Sequence, residues 1–341
     1  MLVTLVAICA RVPAQDYVTN NYVTNRLSLS GRVGLGISAR FKGIAVLPVP
    51  ALNRTTPGGD AYNYDDGYVL SDTSGNFGGQ TWYWGYDNSA SQISGNNILL
   101  SRNSSASIGS SEADDKPGYG AEVLYSRMLG AKGNLRYGFE AAINYLNFSV
   151  NDSRPRAASL TRVTDAYPFT PGTTPPAATP GNPYQGSFDG PGFVIGDTPV
   201  SSSTTVAPGA AVSNGHREFD ADIWGIRVGP YLEFPLGEKF KLSVSGGLAA
   251  ALISAEASWT ESITISGTAG PSVHGSGRNT DFVLGGYLAG NAAWEINERW
   301  SIVGSVQYQY LGRYDHSFGG RAVEADLTHG IFITLGVGYK F

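Results

Sequence analysis

From Leu327 to Phe341 the chain alternates in polarity residue by residue. Leu327, His329, Ile331, Ile333, Leu335, Val337, Tyr339 and Phe341 form one row, apolar except for His329. Asp326, Thr328, Gly330, Phe332, Thr334, Gly336, Gly338 and Lys340 form the other, small or polar except for Phe332. Successive side chains on a strand point to opposite faces, so one face of this segment meets an apolar medium and the other a polar one.

The same period of two recurs along the chain. From Leu27 to Lys42 the odd positions are Leu27, Leu29, Gly31, Val33, Leu35, Ile37, Ala39 and Phe41, while the even ones include Arg32, Arg40 and Lys42. Alternation that long far exceeds the five or six residues of a typical soluble strand. Further strands are expected at about 118–128, 135–150, 218–234, 240–256, 280–295 and 300–314, before the closing strand at 327–341. The connections 129–134, 235–239 and 296–299 are short; 43–117 and 152–217 are long, and 257–279 and 315–325 are intermediate. Sorting connections by length in this way is the mark of a membrane barrel with tight turns on one side and long extracellular loops on the other. Eight is an even number of strands, and a closed ring leaves no unpaired edge in lipid.

Composition agrees. The 341 residues are only 15% charged and include 45 Gly and 19 Tyr, which suits a barrel better than an ordinary soluble enzyme. No apolar run reaches the roughly 18–20 residues of a transmembrane helix. A net charge of −5 leaves no basic patch for nucleic acid.

The chain ends Tyr339-Lys340-Phe341, and here it resembles the bacterial outer-membrane β-barrel proteins, in particular the small eight-stranded OmpA-type transmembrane domain. The resemblance implies that Tyr339 and Phe341 close the barrel and are read by the barrel-assembly machinery during insertion. The expected fold is therefore all-β: a transmembrane antiparallel up-and-down barrel of eight strands over 27–341, in outer-membrane lipid.

Residues 1–14 read as a signal peptide, with Leu2 to Ala10 as its apolar core and Val12-Pro13-Ala14 as the cleavage site. Residues 15–26 read as a periplasmic lead-in. The single cysteine, Cys9, falls in the signal segment, so thiol chemistry and cysteine-ligated zinc are not expected in the mature chain. The 152–217 segment is rich in Pro, Thr, Ala, Gly and Ser and is expected to be mobile. Residues 62–102 are expected to extend or cap the barrel above the membrane rather than add two strands.

The inward rows carry Arg32, Arg40, Glu122, Arg136, Glu140, Arg227, Glu233, Lys241, Glu295 and Lys340. Charges in a narrow lumen must be paired or hydrated, and Arg32 with Glu122 and Glu140 with Arg227 are the expected pairs. Gly34, Gly36, Gly247, Gly285, Gly336 and Gly338 on the same rows are expected to leave space for them. The four histidines lie near loops, no Gly-x-Ser-x-Gly nucleophile motif is present, and no enzyme is expected. Asp60, Asp65, Asp66 and Asp72 cluster in the first long loop without an EF-hand ladder, so a solvated acidic loop is expected rather than a calcium site. The aromatic run Trp82-Tyr83-Trp84 with Tyr86 could stack on sugar faces, but is expected to pack within its loop or sit at the membrane surface. No cofactor or metal is expected. The function expected is structural or surface interaction, with the long loops as the contact surface toward an extracellular partner and the lumen plugged by charged pairs. The alternatives are a narrow porin or carrier for small or hydrophobic solutes and, last, a rim-sited lipid-modifying enzyme.

Overall fold

The computed structural model describes residues 24–42, 45–50, 61–72, 74–112, 116–187, 191–318 and 321–341. The signal-peptide segment with Cys9, residues 15–23 of the lead-in, and Asp60 lie outside the described residues, while Asn25 and Arg26 already belong to the first strand.

Eight long strands form the framework: β1 (Asn25–Leu35), β2 (Gly118–Lys132), β3 (Leu135–Asp152), β4 (Ser201–Leu236), β5 (Phe240–Ile265), β6 (Val273–Glu295), β7 (Trp300–Tyr310) and β8 (Gly330–Lys340). Each pairs antiparallel with the next in sequence. The last pairs back onto the first, from Arg26↔Lys340 to Leu35↔Ile331, so the ring is closed. At the seam Phe341 N donates to Asn25 O at 3.0 Å, and Asn25 N donates to Phe341 O at 3.3 Å. The tight turns and both ends of the ring lie together at one rim. Gly133 and Gly237 supply the left-handed backbone (φ 61° and 75°) that two of these turns require.

Around the ring the outward residues are large, apolar and open: Leu248 is 72% exposed, Leu335 68% and Leu284 68%. A contiguous band of such side chains on a closed barrel needs lipid against it. Among the described residues no helix is long and apolar enough to cross a membrane, so the crossing is made by strands.

The upper boundary of the band can be read residue by residue. Tyr145, Trp224, Leu252 and Phe282 are directly paired across β3, β4, β5 and β6 and form one outward row. Toward the short turns, outward positions are apolar and inward ones polar. Immediately beyond the row the outward positions become Asn147, Asp222, Ser254 and Thr280. On β3 to β5 the inward ones become Phe148, Val150, Phe219, Ala221, Ile253 and Ala255, all buried. The two faces exchange polarity with no change of register. Below the row the outside is lipid and the inside polar; above it the outside is water and the inside an apolar core.

Above the row β3, β4, β5 and β6 continue past the roughly 9–11 residues that cross a bilayer. Facing them stands a second sheet in the order Ser111–Glu112, Ser38–Lys42, Arg321–Asp326, Arg313–Phe318. Ile37, Ala39, Phe41, Tyr314, Val323, Ala325 and Leu327 pack from that sheet and its flanks against Phe148, Val150, Phe219, Ile253 and Trp259. Farther out, Ser201–Ala211 pairs with Arg156–Pro168, which pairs with Asn97–Ile108. This outer sheet carries two more apolar clusters, one centred on Trp84, Tyr86, Tyr167 and Phe169 and one on Leu47, Ile108, Leu160 and Ile263.

Several sequence expectations change. The first strand ends at Leu35, not Lys42, because Gly36 turns left-handed (φ 68°) under the His329 carbonyl. That turn shifts the parity, so Ile37, Ala39 and Phe41 face the core and Arg40 is exposed on the outside, not in the lumen. Strand seven stops at Tyr310 and the closing strand starts at Gly330; between them lies the Arg313–Asp326 hairpin. Strands β4 to β6 are far longer than expected. The 152–217 segment, expected to be mobile, instead supplies Arg156–Pro168 and the outer half of β4, whose backbone groups are bonded in ladders. Residues 62–102 add no strand to the membrane ring.

The inward glycines also act differently than expected. A Cβ at Gly336 would collide with Leu29 O and Ser30, and one at Gly285 with Tyr310 O. They do not leave room for side chains; they let neighbouring backbones close together where a narrow ring bends sharply. Gly336→Ala should therefore lower the urea midpoint of the refolded barrel by the equivalent of about 1–3 kcal/mol. Gly290→Ala, on the outward face with nothing within 4 Å of the new methyl, should stay within about 0.5 kcal/mol of the parent.

Candidate functional site

The lumen is the place where the barrel either conducts or does not, and its side chains are arranged in layers. At the short-turn mouth an open vestibule of about 490 Å³ is lined by Arg26, Arg136, Glu233, Lys241 and Lys340, among others. Glu233 accepts from Arg26 at 3.1 Å and from Arg136 at 3.4 Å. Glu295 is shared by Lys241 and Lys340. Deeper in, Ser28, Ser30, Ser243, Ser305, Asn291 and Thr334 line a cavity of only about 40 Å³, room for a few waters.

Next comes the charged layer. Arg32 Nη1 donates to Glu122 Oε2 at 2.6 Å, and Arg32 Nη2 to Gln309 Oε1 at 3.0 Å. Arg227 donates to Glu122 Oε1 at 2.8 Å and also binds Glu140, which takes a further bond of 3.0 Å from Tyr287 Oη. One face of each guanidinium is covered: Arg32 lies 3.9 Å from the Phe332 ring centroid and Arg227 4.8 Å from that of Tyr287. Cation–π contacts of this kind are worth about 2 kcal/mol when desolvated. All four charged side chains are no more than 3% exposed. Two arginines and two glutamates neutralise one another, and none is left without an ion partner. The short-range bonds exist because β1, β2, β3 and β4 are consecutive in the ring, which places Arg32, Glu122, Glu140 and Arg227 on adjoining inward rows.

Above this layer the lumen changes character. Leu146 and Phe332 approach the Gly34 position from two sides, within 3.1 and 3.0 Å of where its Cβ would stand. From there the apolar core of the upper barrel fills the space up to Trp259. A salt-bridge chain lies across the top: Arg321 and Arg217 both bind Glu261, and Arg217 Nη1 reaches Asp152 at 3.5 Å. The lumen is thus closed twice, once by matched charges and once by hydrocarbon.

Of the residues singled out in the sequence, the structure brings Arg32, Glu122, Glu140 and Arg227 into one cluster and places Arg136 and Glu233 at the open mouth, with Arg136 38% exposed. Tyr339 and Phe341 stack at 6.3 Å beside the seam, and Trp300 lies 5.0 Å from Tyr339. Asp65 and Asp66 commit their oxygens to the backbone amides of Asn103 (2.7 Å) and Ser101 (2.6 Å), and Asp66 also takes Arg162. Asp72 caps its own loop through Ser74 and Phe77. These loop carboxylates are therefore structural, and among the described residues no cluster could hold a metal ion. Trp84 and Tyr86 are fully buried in the outer cluster, while Phe77 packs edge-on against Trp82 at 4.3 Å nearer the surface. Ser153 Oγ lies 2.7 Å from His216 Nδ1 on the exposed outer wall. Sequence reasoning missed Gln309, Tyr287 and Phe332. A signal for the last existed: Phe332 is the one large apolar residue on the otherwise polar row of the closing strand.

No protein-family model matches this chain, and no curated protein matches it. Among solved structures it is similar to the attachment invasion locus protein Ail of Yersinia pestis, at 8% identity over 94% of this chain and 99% of that one, with a TM-score of 0.28. It is similar to the outer membrane protein OprG of Pseudomonas aeruginosa at 8% identity, 94% and 96% coverage and a TM-score of 0.35. It is also similar to the outer membrane protease OmpT of Escherichia coli at 10% identity, 96% and 99% coverage and a TM-score of 0.33. The eight-stranded closure rests on the pairing within this chain and not on these likenesses.

Two outcomes follow from the layers. Glu122 serves both arginines and Glu140 only one, so Glu122→Ala should destabilise the barrel more than Glu140→Ala, each by up to about 3–5 kcal/mol; urea unfolding in micelles reads the order. Asp152 lies above the polarity boundary. Burial raises its carboxyl, but hydrogen bonds from Arg154 and Arg156 outweigh that and hold it at about 2. Its folded value lies below the ordinary one of about 3.9, so its contribution is complete above about pH 4 and lost as the pH falls toward 2. Near-UV circular dichroism should hold down to about pH 4 and decline below it, and Asp152→Asn should flatten that decline.

Proposed function

We propose that this chain is an outer-membrane protein of a bacterial cell that works through its extracellular half, with a lumen that does not conduct. The observation that carries the reading is the double closure: a neutral Arg–Glu layer covered by a dry apolar core. Hydrated pores need a continuous polar path, and a lumen of eight strands is just wide enough for side chains to fill. The described residues above the membrane have hydrophobic clusters of their own and offer a folded surface to a partner. In this reading the short turns face the periplasm and the chain meets lipid on its outward rows. No catalytic role is assigned. The Ser153–His216 pair is exposed, and among the described residues no carboxylate bonds the imidazole, so no base is oriented there.

One observation favours a carrier of hydrophobic solutes instead. A recess of about 610 Å³ opens on the lipid-facing wall, lined by Val123, Ile143, Ile226, Leu248, Phe282 and Leu284. It suits an acyl chain, yet the Arg227 layer lies on the other side of that wall. Single-channel recording of the refolded barrel in planar bilayers decides between a closed lumen and an open one. The expected record is a silent bilayer or brief, small openings; a steady open level would overturn the closed-lumen reading.

A further inference from the structure

In the extracellular half, every residue from Ser201 to Ala210 is exposed although the segment is in strand conformation. One edge of Ser201–Ala207 is laddered to 160–166. Along the other edge no described strand pairs with it; the ladder to β5 begins only at Val212↔Thr264. A row of unpaired N–H and C=O groups is a template for another strand, and proteins usually blunt such an edge with charges, proline or a bulge. Here no charged residue occurs between Asp197 and Arg217, and Pro208 and Gly209 lie just beyond the straight stretch, at the register shift that ends it. Among the described residues, Ser201–Ala207 keeps one edge without a strand partner.

We infer that this edge pairs antiparallel with the same edge of a second copy of this chain, held in a facing membrane. The inference rests on the reading of the extracellular half as the contact surface and names its partner. The strand suits itself. Antiparallel pairing centred on Thr204 sets Thr204 against Thr204, Ser203 against Thr205, Ser202 against Val206 and Ser201 against Ala207. All are small or β-branched, hydroxyl meets hydroxyl in the central pairs, and no like charges meet. An acidic or basic peptide would find no counter-charge on the strand. The direction of the chain fixes the arrangement. Residues 201 to 236 form one strand running from the outer lobe to the short-turn rim, so antiparallel pairing at its outer end puts the two barrels at opposite ends of the pair. Seven residues give a weak bond singly, but many copies on two apposed surfaces act together.

The test uses the full barrel inserted into preformed phosphatidylcholine vesicles, where the large polar lobe cannot cross the bilayer and remains outside. Dynamic light scattering should show the parent vesicles clumping, with a several-fold rise in mean size. Thr204→Lys and Thr204→Glu vesicles should each stay dispersed, because like charges then face each other across the two-fold axis. Mixing the two should restore clumping, since an ammonium then meets a carboxylate at that position, and only across unlike copies. Heat-modifiable mobility on gels checks that each variant is folded. Dispersed parent vesicles would overturn pairing with a second copy and leave an unlike partner; the closed lumen, which conductance decides, would be untouched. Clumping of either variant alone, or no recovery on mixing, would overturn the edge and its register.

Discussion

Lipid offers no hydrogen bonds, and that single fact sets the terms for the rest of this molecule. Each N–H and C=O at membrane depth has to be bonded within the ring, so β1 must return to β8. Closure in turn brings both ends of the ring to the short-turn rim, where Asn25 and Phe341 bond to each other. It also demands tight curvature, which is why Gly336 and Gly285 stand where a methyl group would strike the neighbouring strand.

Closure leaves an inside that must be filled, and the two fillings are energetically unlike. The Arg32, Glu122, Arg227 and Glu140 group recovers by mutual attraction what burial takes from it, and such groups add little net stability. Their geometry is nevertheless demanding: each guanidinium has a carboxylate partner and an aromatic face, and any one removal leaves the buried group with a net charge. The upper core, with Phe148, Phe219, Ile253, Tyr314 and Trp259, gains from removing apolar surface from water in the ordinary way. One layer specifies; the other stabilises.

Much of this could be read from alternation alone. The eight strands, their neighbours and the charged residues facing one another across the lumen all follow from a period of two, since parity decides which face a side chain joins. Parity by itself carries no information about a turn that resets it, about a change of medium or about distant partners. Ile37, Ala39 and Phe41 continue the apolar row by count, but Gly36 resets it. In β3 the outward row passes from Tyr145 to Asn147 as the inward row passes from Asn144 to Leu146, and beyond such an exchange an apolar outward face no longer shows how far β4 to β6 run. The Ser/Thr/Pro composition of 152–217 suggested a chain without a core to join, whereas its order comes from ladders to distant partners that no local pattern shows.

The outer half of β4 and its membrane half are one strand of 36 residues, with no linker where a lobe joined by a flexible tether would have one. A pull on the lobe is therefore carried, from Arg217 to the short-turn rim, by a backbone whose ladders to β3 and β5 lie side by side with the load. Those bonds would have to slide together instead of parting one by one. The consequence is mechanical: the lobe and its anchor share one strand, and a force on the lobe enters the barrel as shear across those two ladders.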